Sequence, residues 1–256
     1  EIYVVYQPKL RLRSGEIDGA EALLRWEHPV RGLVPPNTFI PLAEQSGEIR
    51  ALTLWVLRRA VLDQKRLALR GWPLSIHINI SGRLLTDAAF AREACAIVGG
   101  ASAAIGFEIT ETAIIDDQES ALANLNRFAE MGIAISIDDH GAGLSSLSYL
   151  KQLPARELKI DKAFISEMTT SHRDPLIVRS TIDLAHALEM NVTAEGVENQ
   201  ATLALLTVMG CDIAQGFLIS PGVRLDELER FLKKNTYVGD GTDGALHRPA
   251  NFWGRA

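Results

Sequence analysis

Residues Leu122–Gly141 read LANLNRFAEMGIAISIDDHG. Leu122, Leu125 and Ala129 recur at the three- and four-residue spacing of one helix face, and Gly132 can take the left-handed conformation that stops a helix. Ala134–Asp138 then becomes β-rich, and the run ends on two adjacent acids, Asp138 and Asp139. Helix, glycine, short apolar strand, acid: the fold depends on whether that unit repeats.

It does. Further β-rich runs stand at Val4–Pro8, Ile76–Ile80, Gly106–Thr110, Glu157–Asp161, Val192–Ala194 and Ile213–Phe217. Between them lie helical faces: Ile49, Leu52, Val56 and Ala60; Ile177, Leu184 and Leu188, ending near Asn191; and Leu203, Leu206 and Met209, ending at Gly210. Strand and helix alternating at roughly 20 to 35 residues predict parallel strands joined by crossover helices. The 256 residues are close to the ~250 typical of a (β/α)8 barrel. A doubly wound open sheet is the alternative. It calls for a glycine-rich phosphate loop after an early strand, and the sequence has none there. The predicted domain covers residues 1–235. After Thr236 periodicity is lost, and residues 236–256 are expected to be a tail or extension.

Composition narrows the partners. The net charge is −6, from 26 basic and 32 acidic residues. That argues against duplex nucleic acid, which needs many Lys and Arg contacts to phosphate. It leaves room for a small phosphate-bearing ligand held through metal. Cys95 and Cys211 lack zinc-ligand spacing and are read as separate buried thiols. No apolar run reaches the ~20 residues of a membrane span, and no signal peptide is visible. A cytoplasmic protein without membrane contact by this segment is expected.

Polar residues close the β-rich runs. They are Asn79, Glu108 with Glu111, Asp138 with Asp139, Lys159 with Asp161, Glu195 with Glu198, and Gln215; Glu21 and Arg25 stand near the start. Any one acid there could simply be a helix N-cap or a solvated charge. In a parallel barrel, however, all C-terminal strand ends meet on one face. Converging carboxylates must take up protons or cations. An all-oxygen donor set suits Mg²⁺ or Mn²⁺ better than zinc, and two such ions suit phosphoryl displacement. Lys159 could orient a water or stabilise developing negative charge.

Those residues fall in motifs that resemble the EAL family of cyclic-di-GMP phosphodiesterases. EALLRW at Glu21–Trp26 resembles its signature. His28–Pro29, FIPLAEQSGEI at Phe39–Ile49, NIS at Asn79–Ser81, EITE at Glu108–Glu111, DDHGAGLSSLSYL at Asp138–Leu150, LKID at Leu158–Asp161, AEGVE at Ala194–Glu198 and QGF at Gln215–Phe217 follow in family order. The resemblance runs from about Tyr6 to Pro221. It implies a TIM-like barrel with one strand reversed, and hydrolysis of cyclic-di-GMP to linear 5′-pGpG with Mg²⁺ or Mn²⁺. By motif, it implies that Glu21, Asn79, Glu108 and Asp138 bind one metal. Asp138 would bridge to a second, with Asp139 and Glu195 beside it. Lys159 would hold the catalytic water, with Glu195 as ligand or base. Asp161 and Gln215 would support the substrate, Arg25 would meet a phosphate, and Glu111 would brace the loop after Asp139. The family links that loop to dimerisation, so a homodimer is expected, and an upstream sensory or GGDEF domain is compatible. A catalytically silent cyclic-di-GMP receptor and a protein-interaction module are the alternatives; silent copies commonly lose metal-binding acids, which this chain keeps. His140 departs from the usual Phe and is expected to pack in its place without binding metal.

Overall fold

The computed structural model describes residues 1–101, 103–110, 117–140 and 150–235, and for Asp139, His140 and Asn235 the backbone alone. The expected tail lies outside the described residues. Nine strands occur among them: β1 (Ile2–Arg11), β2 (Ile17–His28), β3 (Gly32–Val34), β4 (Ser75–Asn79), β5 (Ile105–Thr110), β6 (Ala134–His140), β7 (Glu157–Ile160), β8 (Asn191–Ala194) and β9 (Ile213–Ala214). Eight close a ring in the order β1-β9-β8-β7-β6-β5-β4-β2, and β2 pairs back to β1. β1 runs antiparallel to both neighbours, and the other ring pairs are parallel. β3 pairs with β2 outside the ring. This is the expected TIM-like barrel with one reversed strand.

The side-chain period of two explains the interior. Outward residues such as Ile76, Ile78, Phe107, Ile109, Ile135, Ile137, Leu158 and Val192 are buried against helices. The alternate residues face inward, and many are polar. His77 precedes Asn79, Ser136 precedes Asp138, Glu157 precedes Lys159 and Thr193 precedes Glu195, each by two positions. Register aligns them: Gln7 opposite Glu21, Glu21 opposite His77, Glu108 opposite Asn79 and Ser136.

The covering helices include α1 (Pro36–Ser46), α2 (Ile49–Leu69), α3 (Gly82–Leu85), α4 (Ala88–Gly99), α5 (Gln118–Glu130), α6 (Lys162–Ser166), α7 (Asp174–Ala187), α8 (Gln200–Val208) and α9 (Leu225–Asn235). Several start where a side chain caps free N–H groups. Asp87 accepts from Ala89 and Phe90 N–H at 2.8 and 3.0 Å, Asp117 from Ser120 at 3.1 Å, and Asn199 from Thr202 at 2.9 Å. α5 and α8 run out at Gly132 and Gly210, whose φ values of 78° and 81° are left-handed. Phe107, Phe128 and Phe90 join β5, α5 and α4 edge to face, with centroid distances of 4.9 and 6.4 Å. Both cysteines are buried and free, as expected.

Three sequence expectations are corrected. β2 is a 12-residue strand that no β-rich run announced. Its AEALL segment is rich in helix formers, and pairing with β1 and β4 overrides that local preference. On α7 the buried face is Val178, Ile182 and Ala185; Ile177 is 42% exposed. That helix ends before Asn191, which starts β8; the left-handed residue is Glu189, with φ 60°.

Candidate active site

Seven of the residues singled out from the sequence meet at the barrel mouth. Lys159 is fully buried and lies against four carboxylates. Its Nζ is 2.6 Å from Glu108 Oε2, 2.6 Å from Glu195 Oε1, 3.3 Å from Asp138 Oδ1 and 3.9 Å from Glu21 Oε2. Two groups within 3.9 Å of one nitrogen cannot be farther apart than twice that distance. Glu21 and Asp138 are therefore within reach of the same or adjacent coordination spheres. Glu21 is oriented by two amides: Asn79 Nδ2 donates to Oε1 at 2.7 Å and Gln215 Nε2 to Oε2 at 2.6 Å. Glu21 sits inside β2.

Four acids against one ammonium leave a negative surplus. Burial drives the Glu21 carboxyl upward, and nearby Glu108 adds to this, against the pull of Lys159. Burial likewise pushes Glu195 up to about 8, aided by Asp138 and Glu21 and opposed by Lys159. Burial alone would raise Glu108 too, but Lys159 and Lys9 outweigh it and hold that carboxyl below its usual range. Lys159 stays charged, because its four acids more than offset desolvation. Buried Gln215 Oε1 has no hydrogen-bond partner among the described residues. Surplus acid, an all-oxygen donor set and an orphaned amide oxygen together fit hard divalent cations.

A cavity of about 350 Å³ opens beside the mouth, bounded in part by Arg25, Glu44, Asn79, Ser81 and Glu108. Arg25 is half-buried there and donates to Leu24 O at 2.9 Å. Asp161 stands at the end of β7 and caps α6, accepting from Ala163 N–H at 2.6 Å. Glu111 lies outside the described residues. So do the side chains of Asp139 and His140 and residues 141–149.

Beneath the mouth is a second polar layer that the motif reading missed. Lys9 Nζ is 2.6 Å from Glu157 Oε1 and 3.2 Å from Glu108 Oε1. Thr193 Oγ1 donates to Glu157 at 2.7 Å. His77, Glu108 and Glu157 each offer a donor atom, all within 4.8 Å of one another. That set resembles a metal site, but the Lys9 ammonium already lies against two of its members. The missed signal was the alternation itself: Glu157 opens β7 and Thr193 stands within β8, each two positions before a mouth residue.

Known proteins share this fold and much of its sequence. The EAL domain family model matches residues 1–222. Cyclic di-GMP phosphodiesterase NbdA of Pseudomonas aeruginosa is 41% identical over 232 residues, covering 89% of this chain and 30% of NbdA. MucR of the same organism, a bifunctional diguanylate cyclase/cyclic di-GMP phosphodiesterase, is 40% identical over 235 residues, covering 89% of this chain and 34% of MucR. The chain thus spans about a third of the length of these relatives. The solved PaMucR phosphodiesterase–c-di-GMP complex superposes with a TM-score of 0.83 at 39% identity, covering 89% of this chain and 94% of that one. With barrel and family match in agreement, the chain belongs to the EAL domain family.

Proposed function

We propose that this chain is a metal-dependent phosphodiesterase that hydrolyses cyclic-di-GMP to linear 5′-pGpG. One observation carries the reading: Glu21, Glu108, Asp138 and Glu195 converge on the single ammonium of Lys159. The names of the related phosphodiesterases and the c-di-GMP complex of a homologue support the substrate.

Glu21, Asn79, Glu108 and Asp138 would hold one ion, and Asp138, Asp139 and Glu195 a second. Bound there, Mg²⁺ or Mn²⁺ would neutralise the acid surplus, polarise the phosphate and acidify water. Glu195 has the most exposed side chain of the four acids, at 21%, and would take the proton from the attacking water. The water oxygen bonds to phosphorus, the P–O3′ bond breaks, and the leaving O3′ takes a proton from solvent, to which Glu195 later returns the one it accepted. Lys159 would orient the water and offset charge building on the phosphoryl oxygens. Gln215 would act through Glu21, which it touches, and Asp161 from the adjoining strand end. Arg25, at the wall of the adjacent cavity, would pair with a phosphate. Bracing of the 141–149 loop by Glu111, a homodimer formed through that loop, and a cytoplasmic setting belong to the same reading. No helix among the described residues is long and apolar enough to cross a membrane.

The test is cyclic-di-GMP turnover followed by separation of the nucleotides. Linear 5′-pGpG is expected with Mg²⁺ or Mn²⁺, and none in excess chelator. Full activity in chelator, or no product with any divalent ion, would overturn the proposal.

A further inference from the structure

Glu108 is held by two lysines, one at each oxygen. Lys159 takes Oε2 at 2.6 Å from the mouth side, and Lys9 takes Oε1 at 3.2 Å from below. Lys9 is 1% exposed and comes from β1, the reversed strand. Its ammonium also contacts Glu157 at 2.6 Å, and Thr193 fixes Glu157 in turn.

His77 Nδ1 lies 3.5 Å from Glu108 Oε1, yet its surroundings leave it no proton for that oxygen. Ser75 Oγ donates to Asp18 O at 3.4 Å, so it accepts from His77 Nε2 at 3.2 Å. Nδ1 then accepts from Ser136 Oγ at 3.3 Å. The tautomer is assigned from these partners. Lys9 is thus the donor to Glu108 Oε1 among the described residues.

The layer is built to admit these side chains. A Cβ on Gly106 would lie 2.6 Å from His77 Nδ1, and one on Gly19 would lie 2.8 Å from Ser75 Oγ and 3.6 Å from Lys9 Cδ. Gly106 on β5 and Gly19 on β2, the two strands that flank β4, leave the room that His77 and Ser75 fill beside Lys9.

We infer that Lys9 is a positioning residue: its ammonium stands where a cation would sit among His77, Glu108 and Glu157, pins Glu108 Oε1, and so aims Oε2 at the metal-binding mouth. The floor carries its own cation on a covalent stem and takes up no divalent ion. This inference rests on the metal-site reading of the mouth.

The test is Mn²⁺ affinity at equilibrium, read from the electron paramagnetic resonance signal of free Mn²⁺, alongside thermal unfolding of the full chain. The informative variant is Lys9→Met/Glu157→Gln. It removes the ion pair as a unit and leaves no unpaired charge from that pair, and methionine fills the lysine stem's volume. Its fold and melting temperature are expected to stay near wild type while Mn²⁺ affinity drops about 10- to 100-fold, the usual cost of losing a partner that orients a ligand. Glu157→Gln alone leaves Lys9 on Glu108 and is expected to keep affinity close to wild type. Equal affinity in the double variant and wild type overturns the role of Lys9. A drop of about tenfold or more in Glu157→Gln, which leaves Lys9 on Glu108, overturns it too, and that arm holds even where the double variant does not fold. Wild-type protein that binds no Mn²⁺ instead sinks the metal-site reading, and the inference with it.

Discussion

Lys159 and Lys9 are both buried, both inside the barrel, and both bonded to Glu108, but their surroundings differ. Around Lys159 stand Glu21, Glu108, Asp138 and Glu195, four acids for one ammonium. Lys9 shares Glu108 and has one acid of its own, Glu157. Against the upward push of burial, Lys9 pulls the Glu157 carboxyl below its usual range. In the mouth, burial and neighbouring acids push Glu21 and Glu195 the other way. A buried charge is tolerated when paired and costly when in excess. The floor is therefore a closed structural pair, while the mouth is an open demand for positive charge.

The contrast is broken most easily by swapping charge for amide in each layer. Glu21→Gln in the mouth is expected to lower kcat by about 1,000-fold or more, as loss of an essential ligand group does. Glu157→Gln in the floor should cost mainly stability, with kcat at saturating metal within about tenfold of wild type. Steady-state kinetics and urea unfolding of both variants separate the two. A floor substitution as damaging to kcat as the mouth one would erase the distinction.

Glu195→Gln keeps the shape of a mouth acid but not its basicity. We expect kcat to fall about 100- to 1,000-fold, the usual share of a general base, with KM little changed. Turnover near wild type would mean that another group takes the proton. At the edge of the mouth, Arg25→Ala should raise KM about tenfold and change kcat less, because the proposed ground-state contact to a phosphate would be lost. An unchanged KM would remove Arg25 from the substrate site.

The mouth acids also set a dependence on pH. The ordinary carboxyl value of 4.5 is the unfolded reference, and Glu195 rises to about 8 in the fold. Between those values the folded, metal-free mouth binds more protons than the unfolded chain. Its stability therefore falls as pH rises through that window. A divalent ion must displace those protons, so Mg²⁺ affinity should climb with pH by up to about tenfold per unit for each proton released. Thermal melts with and without Mg²⁺ at several pH values measure this. Stabilisation by Mg²⁺ that does not depend on pH would show that the mouth acids are already ionised.

Much of this was legible in the residues themselves. β4 to β8 appeared as short apolar runs, and Asn79, Asp138, Lys159 and Glu195 at or just past their ends do converge. β2 was not legible, because Ala20, Glu21, Ala22 and Leu23 have no local preference for a strand; partners distant in sequence impose it. The α7 face was misjudged because Ile177 is apolar yet exposed, and apolar residues outside the core are common. The floor was hidden for a different reason. Lys9, His77 and Glu157 look like isolated polar interruptions until closure of the barrel brings β1, β4 and β7 around one axis.

Mouth and floor are told apart most directly by where a divalent ion goes. Crystals of the protein soaked in Mn²⁺ would show it through the anomalous signal of the metal. The expected result is density among Glu21, Asn79, Glu108 and Asp138 in the mouth, and none among His77, Glu108 and Glu157, where Lys9 already sits. Density in the floor with an empty mouth would contradict the account.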